Sequence, residues 1–85
     1  MKRHPRHYSI CYEIIQNYKG DLPFPLYLQN ISRSNKSWGS RDRRSYRELS
    51  YLYLKNIEYF KALTTETEYA NTWQQLEEGT LALSY

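Results

Sequence analysis

Apolar side chains recur along this chain at spacings of three and four residues, the period of a helix face rather than the alternation of a strand. Tyr8, Cys11, Ile14, Ile15 and Tyr18 form the first stripe and predict a helix over about 7–18. Pro5 suits its start and Gly20 its C′ position. Residues 21–25 (Asp-Leu-Pro-Phe-Pro) then read as a connector, because each proline pushes the residue before it out of the helical region. A short second helix is expected over about 25–34, with Leu28 and Ile31 inward and Phe24 and Tyr27 one turn earlier. Residues 35–39 form the next loop, broken at Gly39, and Ser40 is a suitable N-cap for a third helix over about 41–62. Its stripe is Tyr46, Leu49, Ser50, Tyr53, Ile57 and Phe60. Tyr51, Leu52 and Leu54 lie outside that stripe, so this helix is expected to be buried on several sides and to be central. Thr65 with Glu68 three residues on makes a capping box. A fourth helix follows over about 66–78, with Tyr69, Ala70, Trp73 and Leu76 inward and Gly79 as its stop. Leu81, Leu83 and Tyr85 end the chain as an apolar tail, either the start of a further element or a segment folding back on the bundle.

The fold class is therefore all-α: one small helical bundle of about four helices spanning residues 1–85, or a piece of a longer domain. Composition agrees. There is no valine, and tyrosine supplies ten of the hydrophobic residues, so the sheet-forming β-branched content is low. A chain of 85 residues buries only about 60% of its unfolded surface, which makes the core marginal. The lone Cys11 excludes an internal disulfide and fits a reducing compartment. No apolar run approaches the ~18 residues of a membrane span, and no apolar segment follows the basic N-terminus as a secretory signal would require. The expected location is cytoplasmic, with no membrane partner.

Charge sharpens the picture because it is uneven. Lys2, Arg3, Arg6 and Lys19 face one acid, Glu13, in the first 19 residues. Arg33, Lys36, Arg41, Arg43, Arg44 and Arg47 face only Asp42 over residues 33–47. From residue 48 on, Lys55 and Lys61 are outnumbered by Glu48, Glu58, Glu66, Glu68, Glu77 and Glu78. A basic first half suggests an anionic partner, and nucleic acid is the commonest one for such a domain. Outward-pointing amides at a helix start favour phosphate, and arginine adds bidentate donors. Cations at a helix start also oppose its dipole, a conflict that hints at a role outside folding. The candidate RNA-binding residues are Arg3, Arg6, Lys36, Arg41, Arg43, Arg44 and Arg47. Arg43 and Arg47 share a helix face, as do Arg44 and Arg47.

The structural alternatives are concrete. Asp42 can pair with an arginine of the first helix or of the loop, and Trp38 can plug the helix joint. The tyrosines belong mostly to the core, with Tyr8, Tyr12 or Tyr46 the ones expected near a binding face. Cys11 reads as a buried structural thiol. His4 and His7 lie three apart, but no third ligand accompanies them, so no metal is assigned. No glycine-rich nucleotide loop, metal cluster or nucleophile elbow is present, so no catalytic residue is assigned and the chain alone is not read as an enzyme.

The runs Tyr12–Gly20, Pro25–Asn30 and above all Asn35–Arg44 (Asn-Lys-Ser-Trp-Gly-Ser-Arg-Asp-Arg-Arg) resemble a known family. They are similar to the N-terminal region of bacterial RNA 5-methylcytosine methyltransferases of the Sun/Fmu type, a region related to the antitermination factor NusB. The resemblance covers about residues 7–61, and its core is Gly39–Arg43. It implies a NusB-like helical fold and RNA binding, of ribosomal RNA, in service of modification. It also implies S-adenosylmethionine and two cysteines only in a separate catalytic domain; this chain has one cysteine, near the N-terminus, and requires no cofactor of its own. A NusB-like domain is usually longer, so the chain is expected to be its N-terminal part. Self-association, or docking of the missing C-terminal domain, is expected through the third helix and residues 81–85. The alternative is a helical protein–protein interaction domain without an RNA role.

Overall fold

The computed structural model describes residues 3–79, and within them the chain is all-α. Helix α1 spans Pro5–Gln16, α2 Phe24–Ser34, α3 Ser40–Lys55, α4 Ile57–Lys61 and α5 Glu66–Glu78. The expected tail at Leu81, Leu83 and Tyr85 lies outside the described residues, as does Lys2.

Helix α1 begins at Pro5, two residues before the expected start at residue 7. Pro5 occupies the first turn and His4 is the cap, its ring Nδ1 accepting from the Arg6 N–H at 3.2 Å. The helix ends at Gln16, and Gly20 takes its positive φ of 79° in the connector rather than at the helix C′ position. Its apolar face packs on α3 and α5 and buries Tyr8, Cys11, Ile14 and Ile15. Helix α5 carries the expected box: Thr65 Oγ1 accepts from the Glu68 N–H at 3.2 Å while Glu68 accepts from the Thr65 N–H at 3.0 Å. Gly79 closes α5 in the left-handed region at φ 78°, which a side chain would strain.

The long third helix is interrupted. Asn56 replaces the expected continuity with a break at φ −126°. Its side-chain Nδ2 donates to the Leu52 carbonyl at 3.0 Å, the acceptor that its own N–H would use in a continuous helix. Its N–H turns instead to the Tyr53 carbonyl at 3.2 Å. A buried asparagine that competes with the backbone in this way ends a helix. The break lets α4 turn Phe60 inward to full burial against Tyr53, Tyr69 and Trp73, with ring centroids at 5.5, 5.2 and 5.6 Å. Trp73, Tyr46, Phe60, Leu49 and Cys11 are fully buried. The Trp73 indole N–H donates to the Leu49 carbonyl at 2.9 Å, so the largest core residue is also satisfied as a polar group.

Helix α3 is central, packing against α1, α4 and α5, but it is not buried on every side. Tyr51 and Leu54 are exposed. They face the side where α2 lies. Helices α2 and α3 form an antiparallel hairpin: the five-residue loop joins them at one end, and Phe24 meets Tyr53 (centroids 6.3 Å) at the other. Phe24 and Leu28 anchor α2 to the core, and the Tyr27 hydroxyl donates to the Ile14 carbonyl at 2.6 Å.

Candidate nucleic-acid interface

The start of α3 is built around Asp42. Gly39 is the cap, in place of Ser40, and has no side chain to close a box; Asp42 supplies the other half by accepting the Gly39 N–H at 3.1 Å. Its second oxygen meets His7 Nε2 at 2.8 Å and Arg6 Nη2 at 3.5 Å. The His7 bond, then the Gly39 N–H, holds the Asp42 carboxyl below the usual carboxylate range. His7 is buried and its Nδ1 has no hydrogen-bond partner among the described residues. Trp38 closes the joint by packing on Tyr46, with ring centroids 4.7 Å apart and the planes tilted by 59°. Asp42 and Trp38 thus fasten the loop to α1 and to the core.

The seven candidate cations separate into three groups. Arg3 is buried in an ion-pair cluster. Its Nε donates to Glu77 at 2.7 Å and its Nη2 to Glu48 at 2.6 Å, with 6% of the side chain exposed. The same Glu77 accepts from the Tyr8 hydroxyl at 3.1 Å. Arg6 and Arg44 make long contacts, 3.5 Å to Asp42 and 3.4 Å to Glu48, with side chains 60% and 64% exposed. Lys36, Arg41, Arg43 and Arg47 are exposed and have no carboxylate within ion-pair distance among the described residues.

Of that last group, Arg43 and Arg47 are brought together by the helical period, as expected, and they line a groove of about 610 Å³ between α2 and α3. Arg44 projects away from it, toward Glu48. The groove also holds Arg33, from the last turn of α2, which sequence reasoning counted in the basic segment but did not select. Its signal was only its place in the cation run; the antiparallel pairing of α2 with α3 is what brings it to Arg43. The opposite end is apolar: Phe24 and Leu28 form the floor, Tyr51 and Leu54 the wall. No carboxylate lines this groove. A shallower depression of about 370 Å³ lies beside Arg3, where Glu48 and Glu77 make it unsuited to anions.

The tyrosines chosen as candidate binding residues are mostly internal. Tyr8 and Tyr46 are buried, and Tyr12 is half-buried with its ring edge-on to Tyr69 at 5.0 Å. Burial pushes the Tyr8 and Tyr46 hydroxyls up to about 12. Tyr51, not singled out for binding, is the exposed aromatic beside the arginines; the stripe pattern assigned it to a buried flank. Cys11 is fully buried, 3.7 Å from the Ser50 hydroxyl, and burial pushes its thiol up to about 12. Such a thiol is no nucleophile. Among the described residues no three potential ligands gather for a metal ion, and no helix is long and apolar enough to cross a membrane.

No protein-family model matches the chain, and comparison with curated proteins and with solved structures gives no match.

Proposed function

We propose that this chain binds RNA through the arginine-bearing face of α2 and α3, as the targeting part of a cytoplasmic ribosomal RNA 5-methylcytosine methyltransferase. The observation that carries the reading is the convergence of Arg33, Arg43 and Arg47 on a groove without a carboxylate. Guanidinium groups left unpaired in this way attract a polyanion and release its counterions on binding. Arg41 and Lys36 add exposed cations at the start of α3 and in the loop before it, and the run around Gly39–Arg43 carries the likeness to NusB-related regions. Arg3 contributes to the fold in this reading rather than to the RNA contact. Methyl transfer belongs to a separate domain: the buried Cys11 does not fit the chemistry, and no residue of this chain is assigned to hold S-adenosylmethionine. The test is affinity for structured ribosomal RNA fragments at several salt concentrations. Loss of Arg43 or Arg47 to alanine is expected to weaken binding to all sequences alike and to flatten the salt slope by about one unit each. Unchanged affinity in both folded variants removes the support for the reading.

A second reading has its own observation. Tyr51, Leu54 and Leu26 are exposed apolar side chains, and an apolar surface of this kind suits a protein partner, including a further domain of a longer chain. Binding driven by that surface would be nearly insensitive to salt, which separates the two.

A further inference from the structure

The groove is polarised along its length. At the loop end stand three guanidinium groups, Arg33, Arg43 and Arg47. At the far end are a floor of Phe24 and Leu28 and the exposed ring of Tyr51, 55% accessible. A surface that only gripped phosphates would need the first end alone. A surface for an apolar peptide would need a continuous apolar groove, whereas Gln29, Ser32 and Ser50 interrupt this one. The combination fits a ligand that is anionic at one end and flat and apolar at the other.

We propose that the α2–α3 groove takes one unpaired nucleotide of a bound RNA, with its base stacked at the Tyr51 end and its flanking phosphates on Arg43 and Arg47. This rests on the RNA reading and deepens it: the chain would select unpaired positions rather than the regular duplex. The volume of about 610 Å³ lies in the range of sites for small molecules. Every base has a flat face that stacks on an aromatic ring regardless of sequence. Gln29 offers an amide donor and acceptor to the base edge from the α2 wall. Lys55 holds its ammonium over one face of the Tyr51 ring, 5.3 Å from its centroid, so the base would stack on the other face.

The test uses three RNA hairpins of one stem sequence: fully paired, with a single bulged 2-aminopurine, and with an abasic bulge. The bulged-base hairpin is expected to bind about tenfold more tightly than the other two, with a change in 2-aminopurine emission. Tyr51→Ala, at an exposed position that leaves the core intact, is expected to abolish that preference while the paired hairpin keeps its affinity and salt slope. Equal affinity for all three hairpins with a steep salt slope overturns base insertion and leaves the RNA reading standing. No binding to any hairpin at low salt overturns both. Equal hairpin affinities together with Tyr51-dependent binding of a glutamate-rich amphipathic peptide would make the groove a protein-docking site instead.

Discussion

Arginines on two sides of α3 have opposite fates. On the side facing α5, Arg3 lies between Glu48 and Glu77 and is nearly closed off from solvent. On the side facing α2, Arg43 and Arg47 stand over an apolar groove with no acid in it. The residue type is the same, and both sets border α3, although Arg3 comes from the segment before α1. What differs is whether the neighbouring helix brings a carboxylate. Helix α5 brings Glu77 beside Glu48 of α3, so Arg3 is drawn into the fold; α2 brings Arg33 instead and leaves Arg43 and Arg47 unpaired. A basic run in a sequence is thus divided by its neighbours into charges that hold the structure and charges left open to solvent.

The largest expected effect separates the packed side from the open one. Leu49 and Trp73 are fully buried between α1, α3 and α5. Leu49→Ala is expected to cost about 2–5 kcal/mol and Trp73→Ala about 3–5 kcal/mol, the latter also removing the donor to the Leu49 carbonyl. A small domain has about 3–5 kcal/mol in hand, so either variant should lose its cooperative urea transition followed by circular dichroism. Tyr51→Ala and Leu54→Ala, across the same helix, should stay within about 1 kcal/mol of the parent. If the groove variants unfold as readily as the core variants, the groove is part of the core and the comparison fails.

A middle-sized effect contrasts the arginines themselves. Arg3→Ala leaves Glu48 and Glu77 without their shared cation. Because Glu48 is partly solvated, the expected loss is about 1–3 kcal/mol, below that of a fully buried pair, with RNA affinity unchanged once folding is allowed for. Arg43→Ala should do the reverse. Acid sharpens the contrast. The Arg3 guanidinium, through its hydrogen bond, holds the Glu48 carboxyl below its ordinary value, with Arg44 adding to it; His7 and the Gly39 N–H do the same for Asp42. A carboxyl whose pKa is depressed by folding contributes stability above its unfolded pKa of about 4, and that contribution is lost as pH falls through the lower folded value. Urea midpoints measured from pH 6 down to pH 2 should therefore fall steeply below about pH 4 in the parent and in Arg43→Ala. They should fall less steeply in Arg3→Ala, where Glu48 has lost its main partner. Identical acid limbs in all three proteins would remove Arg3 from the ion-pair account.

The helix faces of α1 and α5 were readable because each has one stripe and strong end signals, Pro5 at one start and Thr65 with Glu68 at the other. The interruption at Asn56 was not, because it depends on a side chain finding the Leu52 carbonyl and on Phe60 gaining a buried place among Tyr53, Tyr69 and Trp73. An apolar period continues across that break undisturbed. Tyr51 and Leu54 were misread for a related reason: a broad apolar surface on a helix predicts burial only if something covers it, and here α2 turns it into an open groove. Asp42 was recognised as a possible partner for an arginine of α1, but its stronger contact is His7, whose role no spacing rule signals. The grouping of Arg33 with Arg43 and the loss of Arg3 to two glutamates are both facts of helix pairing, beyond the reach of residue type and local spacing.

The smallest effect concerns the arginine that stands between the two sides. Arg6 leans from α1 toward Asp42 at 3.5 Å with most of its side chain in solvent. His7 and the Gly39 N–H hold the same carboxylate at 2.8 and 3.1 Å. Exposed pairs of this kind contribute about 0–1 kcal/mol, and Asp42 keeps its closer partners when Arg6 is removed. Arg6→Ala is therefore expected to lower stability by no more than about 0.5 kcal/mol, less than Arg3→Ala. Its effect on the salt slope of RNA binding then decides which side it belongs to. A slope flattened by about one unit places Arg6 with Arg43 and Arg47 as a phosphate contact. An unchanged slope confines the interface to α2, α3 and the loop between them. A stability loss as large as that of Arg3→Ala would mean that exposure and distance fail to sort structural from available arginines in this fold.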